Sequence, residues 1–275
     1  ERLNVYDIVI KLFIISTYSL SNNIFWFSTM KNVLSFLGKK ILVGLACLFF
    51  IFSATHLFSQ ATRTSVQSGN WSNQNTWDCS CVPTSADNAV IATGHTVTLL
   101  GSTNITGLTV QTNAVLNDNG QPNVITGNFT LNGTYTGSGN ILLSGTATTI
   151  DGTGSISNTG TMTLTNNKTI LSTASISKNS GNVALSAATT VTNNGTITVG
   201  SSITGVNATT SIWTNAANST LNIGTVLLTT GVLNASASGN TINYYGSGAQ
   251  TVKLPSLVSG LGTYHNLTVS GASTK

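Results

Sequence analysis

Beyond residue 62 the only carboxylates in this sequence are Asp78, Asp87, Asp118 and Asp151, and any acid and base chemistry would have to be built from them. Polysaccharide lyases and hydrolases need grouped carboxylates, to hold calcium or to flank one bond as acid and base. These four are dispersed, and no two share an obvious strand register. Asp118 precedes Asn119-Gly120 and Asp151 precedes Gly152, places where an aspartate caps a turn. His95 and His265 stand alone, each beside a strand, whereas a metal centre wants several converging ligands. No serine has a discernible histidine and carboxylate partner. The expectation is a chain that is not an enzyme and that carries no cofactor.

Two further groups could bind or cross-link. Cys79 and Cys81 lie two residues apart in what reads as a loop; they either bridge each other in a tight ring or remain as two thiols for another partner. Trp213, Tyr244, Tyr245 and Tyr264 could stack on sugar rings, although such aromatics also fill the corners of a folded coil. Flat ranks of Thr-x-Thr can order water. Thr96 with Thr98, Thr161 with Thr163 and Thr196 with Thr198 suggest one, but Asn182 and Ala184 would interrupt it.

These residues must be positioned by a chain of unusual composition. Charged residues make up 6% of the 275, with 27 glycines and 3 prolines, against roughly a quarter charged in ordinary domains. A hydrophobic content of 40% with alternating pattern argues for a buried core rather than disorder. The net charge of +4 misleads about partners, because five of the ten basic residues precede residue 62. Without clustered Lys or Arg there is no footprint for nucleic acid.

A six-residue phrase organises the rest: small or polar residue, Gly, Asn or Thr, apolar, variable, apolar. It reads Ser138-Gly139-Asn140-Ile141-Leu142-Leu143, then Thr159-Gly160-Thr161-Met162-Thr163-Leu164, then Ser180-Gly181-Asn182-Val183-Ala184-Leu185, with the glycines 21 residues apart. Looser copies begin at Thr126, Asn194 and Asn218. A turn-then-strand unit of about twenty residues is the signature of a solenoid. Period-2 alternation turns Ile141 and Leu143, Met162 and Leu164, Val183 and Leu185, and Ile197 and Val199 inward. Asn140 and Asn182 could join an amide ladder. The fold expected is all-β, a single-stranded parallel β-helix (β-solenoid), right-handed, with an N-terminal cap.

Residues 1–29 open without Met and have no consistent pattern, which suggests translated upstream sequence. Residues 30–61 have the order of a secretory signal peptide: Lys31, Lys39 and Lys40, an apolar run from Ile41 to Ala54, and Ser59-Gln60-Ala61 as the cleavage site. Residues 62–100 form the cap and first coil, with Trp71, Trp77, Pro83 and Asp87 as its key residues. Residues 101–275 carry the solenoid repeats, truncated at the C-terminus.

The order Trp71-Ser72, Thr76-Trp77, Val82-Pro83-Thr84, Asp87-Asn88, Ile91 and Gly94-His95-Thr96-Val97-Thr98-Leu99 resembles the opening of secreted bacterial surface proteins with parallel β-helix repeats, similar to the eight-glycine domain. Ala89 departs from it, where a larger β-branched residue is usual. Gly246 to Val252 and Tyr264 to Gly271 resemble the repeat module of the same exported proteins, many of which use type IX secretion. The resemblance implies an exported, cell-surface or secreted, adhesin-like stalk. Its partners would be surface glycans or other cell-surface proteins, with no membrane association after signal cleavage. The alternative is a carbohydrate-binding or polysaccharide-cleaving β-helix module.

Overall fold

The computed structural model describes residues 60–257 and 260–271. The upstream segment, and the signal peptide apart from its last two residues, lie outside the described residues. Among the described residues a single turn of 3-10 helix, Gln74–Thr76, interrupts an otherwise all-β chain.

Short strands are joined by tight turns so that every circuit of the chain contributes one strand to each of up to three parallel sheets. The first sheet has nine strands, the second ten and the third six. Gly107–Val110, Val115–Asn117 and Asn123–Ile125 form one circuit. Phe129–Leu131, Thr134–Thr136 and Ile141–Leu143 form the next. The result is a β-solenoid of about eight turns. At the usual spacing of stacked strands it extends roughly 40 Å.

Stacking satisfies the backbone one coil at a time. In the third sheet the amide of Ile141 donates to Thr161 O, that of Met162 to Asn182 O and that of Val183 to Ser202 O, at 2.9–3.0 Å. The in-register partners are Ile141, Met162 and Val183 on one column and Leu143, Leu164 and Leu185 on another. All six are buried. Alternation with period 2 thus places two apolar side chains per strand inside, and burying each contributes on the order of 1.5–3 kcal/mol.

The shorter spacings in the sequence now have a cause. The copy containing Phe129–Leu131 belongs to the first sheet, the three copies 21 residues apart belong to the third, and those containing Thr196–Val199 and Thr220–Ile223 belong to the second. One phrase therefore serves all three faces, and intervals below one coil are steps between faces of one coil.

At the corner from the third sheet to the first, Ala147, Asn166 and Ala188 adopt left-handed backbone, with φ between 53° and 60°. Asparagine tolerates this conformation, while alanine stores about 1–2 kcal/mol of strain in it.

The N-terminal end is closed. Trp71 and Trp77 meet edge to face with centroids 4.8 Å apart, and Trp77 Nε1 donates to Trp71 O at 2.8 Å. Both rings are part of the core, Pro83 is buried beside them, and Ala89 is fully buried despite its small size. Arg63 occupies the inward column ahead of Ala89 and donates from Nε to Asp87 Oδ1 at 3.2 Å. An inward-pointing charge blunts a sheet edge. At the other end the strand Asn266–Val269 continues two inward columns, with Leu267 and Val269 44% and 48% exposed.

Candidate functional site

The four aspartates fall in four different settings. Asp78 is exposed. Asp87 holds the cap loop, accepting from Thr84 N at 2.9 Å and Thr84 Oγ1 at 2.8 Å. Burial pushes its carboxyl up, but these hydrogen bonds and Arg63 outweigh it and hold the group below the ordinary value. Asp151 accepts from Thr173 Oγ1 at 2.7 Å on the outer surface. Asp118 is buried in the interior. Among the described residues no three His, Cys, Asp or Glu side chains converge as metal ligands.

The histidines serve local structure. His95 Nδ1 lies 2.9 Å from Ser65 Oγ, which itself accepts from Ala92 N at 2.8 Å. His265 Nδ1 accepts from Gly239 N at 3.3 Å. Cys79 and Cys81 are bonded to each other within the cap loop.

The aromatic candidates divide. Trp213 is 1% exposed and Tyr244 fully buried, so neither can offer a ring to a sugar, and that expectation is corrected for both. Alternation decides the point: Tyr244 follows Ile242 by two residues on the inward face, and Trp213 shares the inward column of Val191 and Leu233. The Tyr244 hydroxyl accepts from Lys253 N at 2.9 Å and contacts the Tyr264 hydroxyl at 3.3 Å. Tyr245 alone of the three named contacts is half-exposed.

The outer faces are hydroxyl and amide. On the second sheet one outward column runs Thr134, Ser155, Ser177, Thr198, Asn222, Asn243 and Thr268. Beside it runs Ser175, Thr196, Thr220, Thr241 and Asn266. On the first sheet Thr149, Thr169, Thr192 and Thr214 stand in line. The expected interruption by Ala184 belongs to the third sheet, where Ala184 separates Thr163 from Thr204. Thr196 and Thr198 are on a different face. Asn140 and Asn182 do not ladder: each Oδ1 accepts from a backbone amide one coil on, Thr161 N at 3.1 Å and Ser202 N at 3.3 Å. The laddered pairs are Asn193 with Asn215 inside and Asn222 with Asn243 outside, both 3.0 Å.

Two features escaped sequence reasoning. One is a groove of about 210 Å³ beside the cap, lined by Trp71, Ser72, Val82, Pro83 and the stretch from Leu100 to Thr103. The other is a set of ionisable side chains inside the solenoid. Lys168 is 1% exposed, and its Nζ donates to the carbonyls of Gly145, Thr165 and Asn167. Lys178 is 2% exposed and donates to Asn158 O, Gly160 O and Ser180 O. Desolvation lowers both ammonium groups to about 8. Tyr135 is buried nearby and pushed up by the same cause; its hydroxyl accepts from Asn123 Nδ2 at 3.3 Å. Alternation carried the signal, since Lys168 and Lys178 each lie two residues from an inward isoleucine, Ile170 and Ile176.

The geometry defines a β-solenoid with one closed end and weakly charged outer faces. No family model, curated protein or solved structure matches the chain.

Proposed function

We propose that this chain is an exported, non-enzymatic β-solenoid segment of a bacterial cell-surface or secreted protein, acting as a stalk or adhesin-like spacer. The observation that carries this reading is the unbroken in-register stack running from the blunted cap to the strand Asn266–Val269. A parallel stack in which each coil hydrogen-bonds the next is stiff along its axis, so it holds whatever it carries at a set distance. Its outer columns of Thr, Ser and Asn are hydrated without being ionic, which suits a surface meeting glycans or other surface proteins. The bridge between Cys79 and Cys81 supports export, because disulfides persist in oxidising compartments. The likeness of the cap residues to secreted β-helix proteins points the same way, and type IX export would be its route.

A carbohydrate-binding module is the second reading, favoured by the cap groove, where the hydroxyls of Ser72, Ser102 and Thr103 border apolar Val82 and Leu100. Protease shaving of intact cells tests the first: surface exposure should release solenoid peptides without lysis, and their protection until lysis would defeat it. Glycan arrays and polysaccharide degradation with the full chain separate the two. Cleavage abolished by changing one aspartate would overturn the non-enzymatic reading, and glycan binding lost on Leu100→Asp would favour the second.

A further inference from the structure

Three chemically distinct side chains meet in the interior where the chain leaves the second sheet. Asp118 follows the strand Val115–Asn117, Asn158 follows Ser155–Ile156, and Lys178 closes Ser175–Lys178. Asp118 and Asn158 are fully buried and Lys178 nearly so. The coil between the first two supplies Gly137, where an added Cβ would sit 2.0 Å from Asp118 Oδ1. Only glycine leaves room for the carboxylate to reach past its neighbouring coil to the next.

The polar contacts leave one atom over. Asp118 Oδ1 accepts from the amides of Gly120, Ser138 and Gly139, each at 2.9 Å. Its Oδ2 accepts from Asn158 Nδ2, which also donates to Gly139 O at 2.8 Å. Both carboxamide hydrogens are thereby used, while Asn158 Oδ1 is buried with no hydrogen-bond partner. Native interiors rarely leave such an atom without a reason. Lys178 Nζ approaches the same residue, 3.1 Å from Asn158 O. An apolar cavity of about 30 Å³ lies against the lysine, bordered also by Ile156, Ile176 and Val199, and it gives the side chain room to move.

We propose that Lys178 and Asn158 join in an intramolecular isopeptide bond, with Asp118 carrying the proton. The neutral amine of Lys178 attacks Cγ of Asn158; a C–N bond forms, and the carbonyl π pair moves to Oδ1. The proton released from the new nitrogen passes to the Asp118 carboxylate and from there to Nδ2, its hydrogen-bond partner. The carbonyl re-forms, the bond from Cγ to Nδ2 breaks, and ammonia leaves. Amine plus primary amide gives secondary amide plus ammonia, so no oxidant or co-reactant is required. Desolvation favours the step, since at about 8 the lysine is neutral in about one molecule in ten at pH 7. The product removes a buried charge and ties one coil to the next. This assignment does not depend on the stalk reading.

Intact-mass spectrometry of the purified, folded chain tests it, compared with the mass calculated from the determined N-terminus and the Cys79–Cys81 bridge. The expected result is a mass lower by one ammonia, with tandem spectra of a digest showing a branched peptide that joins Asn158 to Lys178. Lys178→Arg and Asp118→Ala should restore the ammonia and abolish the branch. The unreduced sequence mass in folded wild-type protein would overturn the proposal, whatever the variants do. Ammonia loss that survives in Lys178→Arg would also overturn it, because asparagine cyclising on its own backbone gives that result.

Discussion

Gly160→Ala is the sharpest perturbation of the stack. A Cβ there would lie 2.0 Å from Gly139 O and 2.6 Å from Gly139 C, both backbone atoms of the preceding coil. Relieving that contact needs a local separation of about 1 Å, enough to break hydrogen bonds near their optimum length. Those at risk are Ile141 N to Thr161 O at 3.0 Å and Met162 N to Asn182 O at 2.9 Å. Two such bonds left unmade in a buried stack cost about 3 kcal/mol together. For a domain of this size that corresponds to a fall in Tm of about 6–12 °C. Gly101→Ala is the matched control, since nothing lies within 4 Å of its added Cβ, and it should stay within about 0.5 kcal/mol of wild type. Urea and thermal unfolding of the full chain, followed by circular dichroism, measure both. Equal effects at the two positions would refute the close approach of coils.

Ala188→Gly should raise stability by about 1 kcal/mol in the same assay, because it relieves an alanine held at φ 54°; a loss instead would show that the corner is not left-handed. Lys168 titrates lower in the folded chain than in the unfolded one, so between about pH 8 and pH 10 the unfolded state holds more protons and stability rises with pH. The gain is about 2 kcal/mol, and Lys168→Met should flatten it; above pH 10 the raised tyrosines, Tyr135 and Tyr264, reverse the slope. Asp87 has the opposite sign, contributing stability above the ordinary carboxylate range that is lost as pH falls through its lowered folded value. Asp87→Asn should therefore reduce the acid sensitivity of unfolding and lower stability at pH 7.

Period-2 alternation and the glycines 21 residues apart were enough to read the solenoid, because each coil repeats the same requirement for a turn without a side chain and two inward apolar positions. What could not be read was the face to which each copy belongs, since the phrase at Thr126 and the phrase at Ser138 are chemically alike and serve different sheets. That ambiguity misplaced the threonine ranks and the asparagine ladder. Asp118 was legible as a turn cap, and it does bond Gly120 N. Its reach to Asn158, 40 residues on, depends on Gly137 in the intervening coil, a contact that no local pattern encodes. Trp213 and Tyr244 resembled sugar platforms only while chemistry was considered without the alternation that turns them inward.

Engineered disulfides report the register of the stack most directly. In a Cys47→Ser background, Thr163→Cys with Ala184→Cys places two outward residues of adjacent coils directly opposite each other, within the separation a disulfide can bridge. Thr163→Cys with Thr204→Cys spans two coils, about 10 Å apart and beyond its reach. Rapid oxidation of the first pair and none of the second is the expected result. The reverse, or indifference between the pairs, would contradict the stacked solenoid.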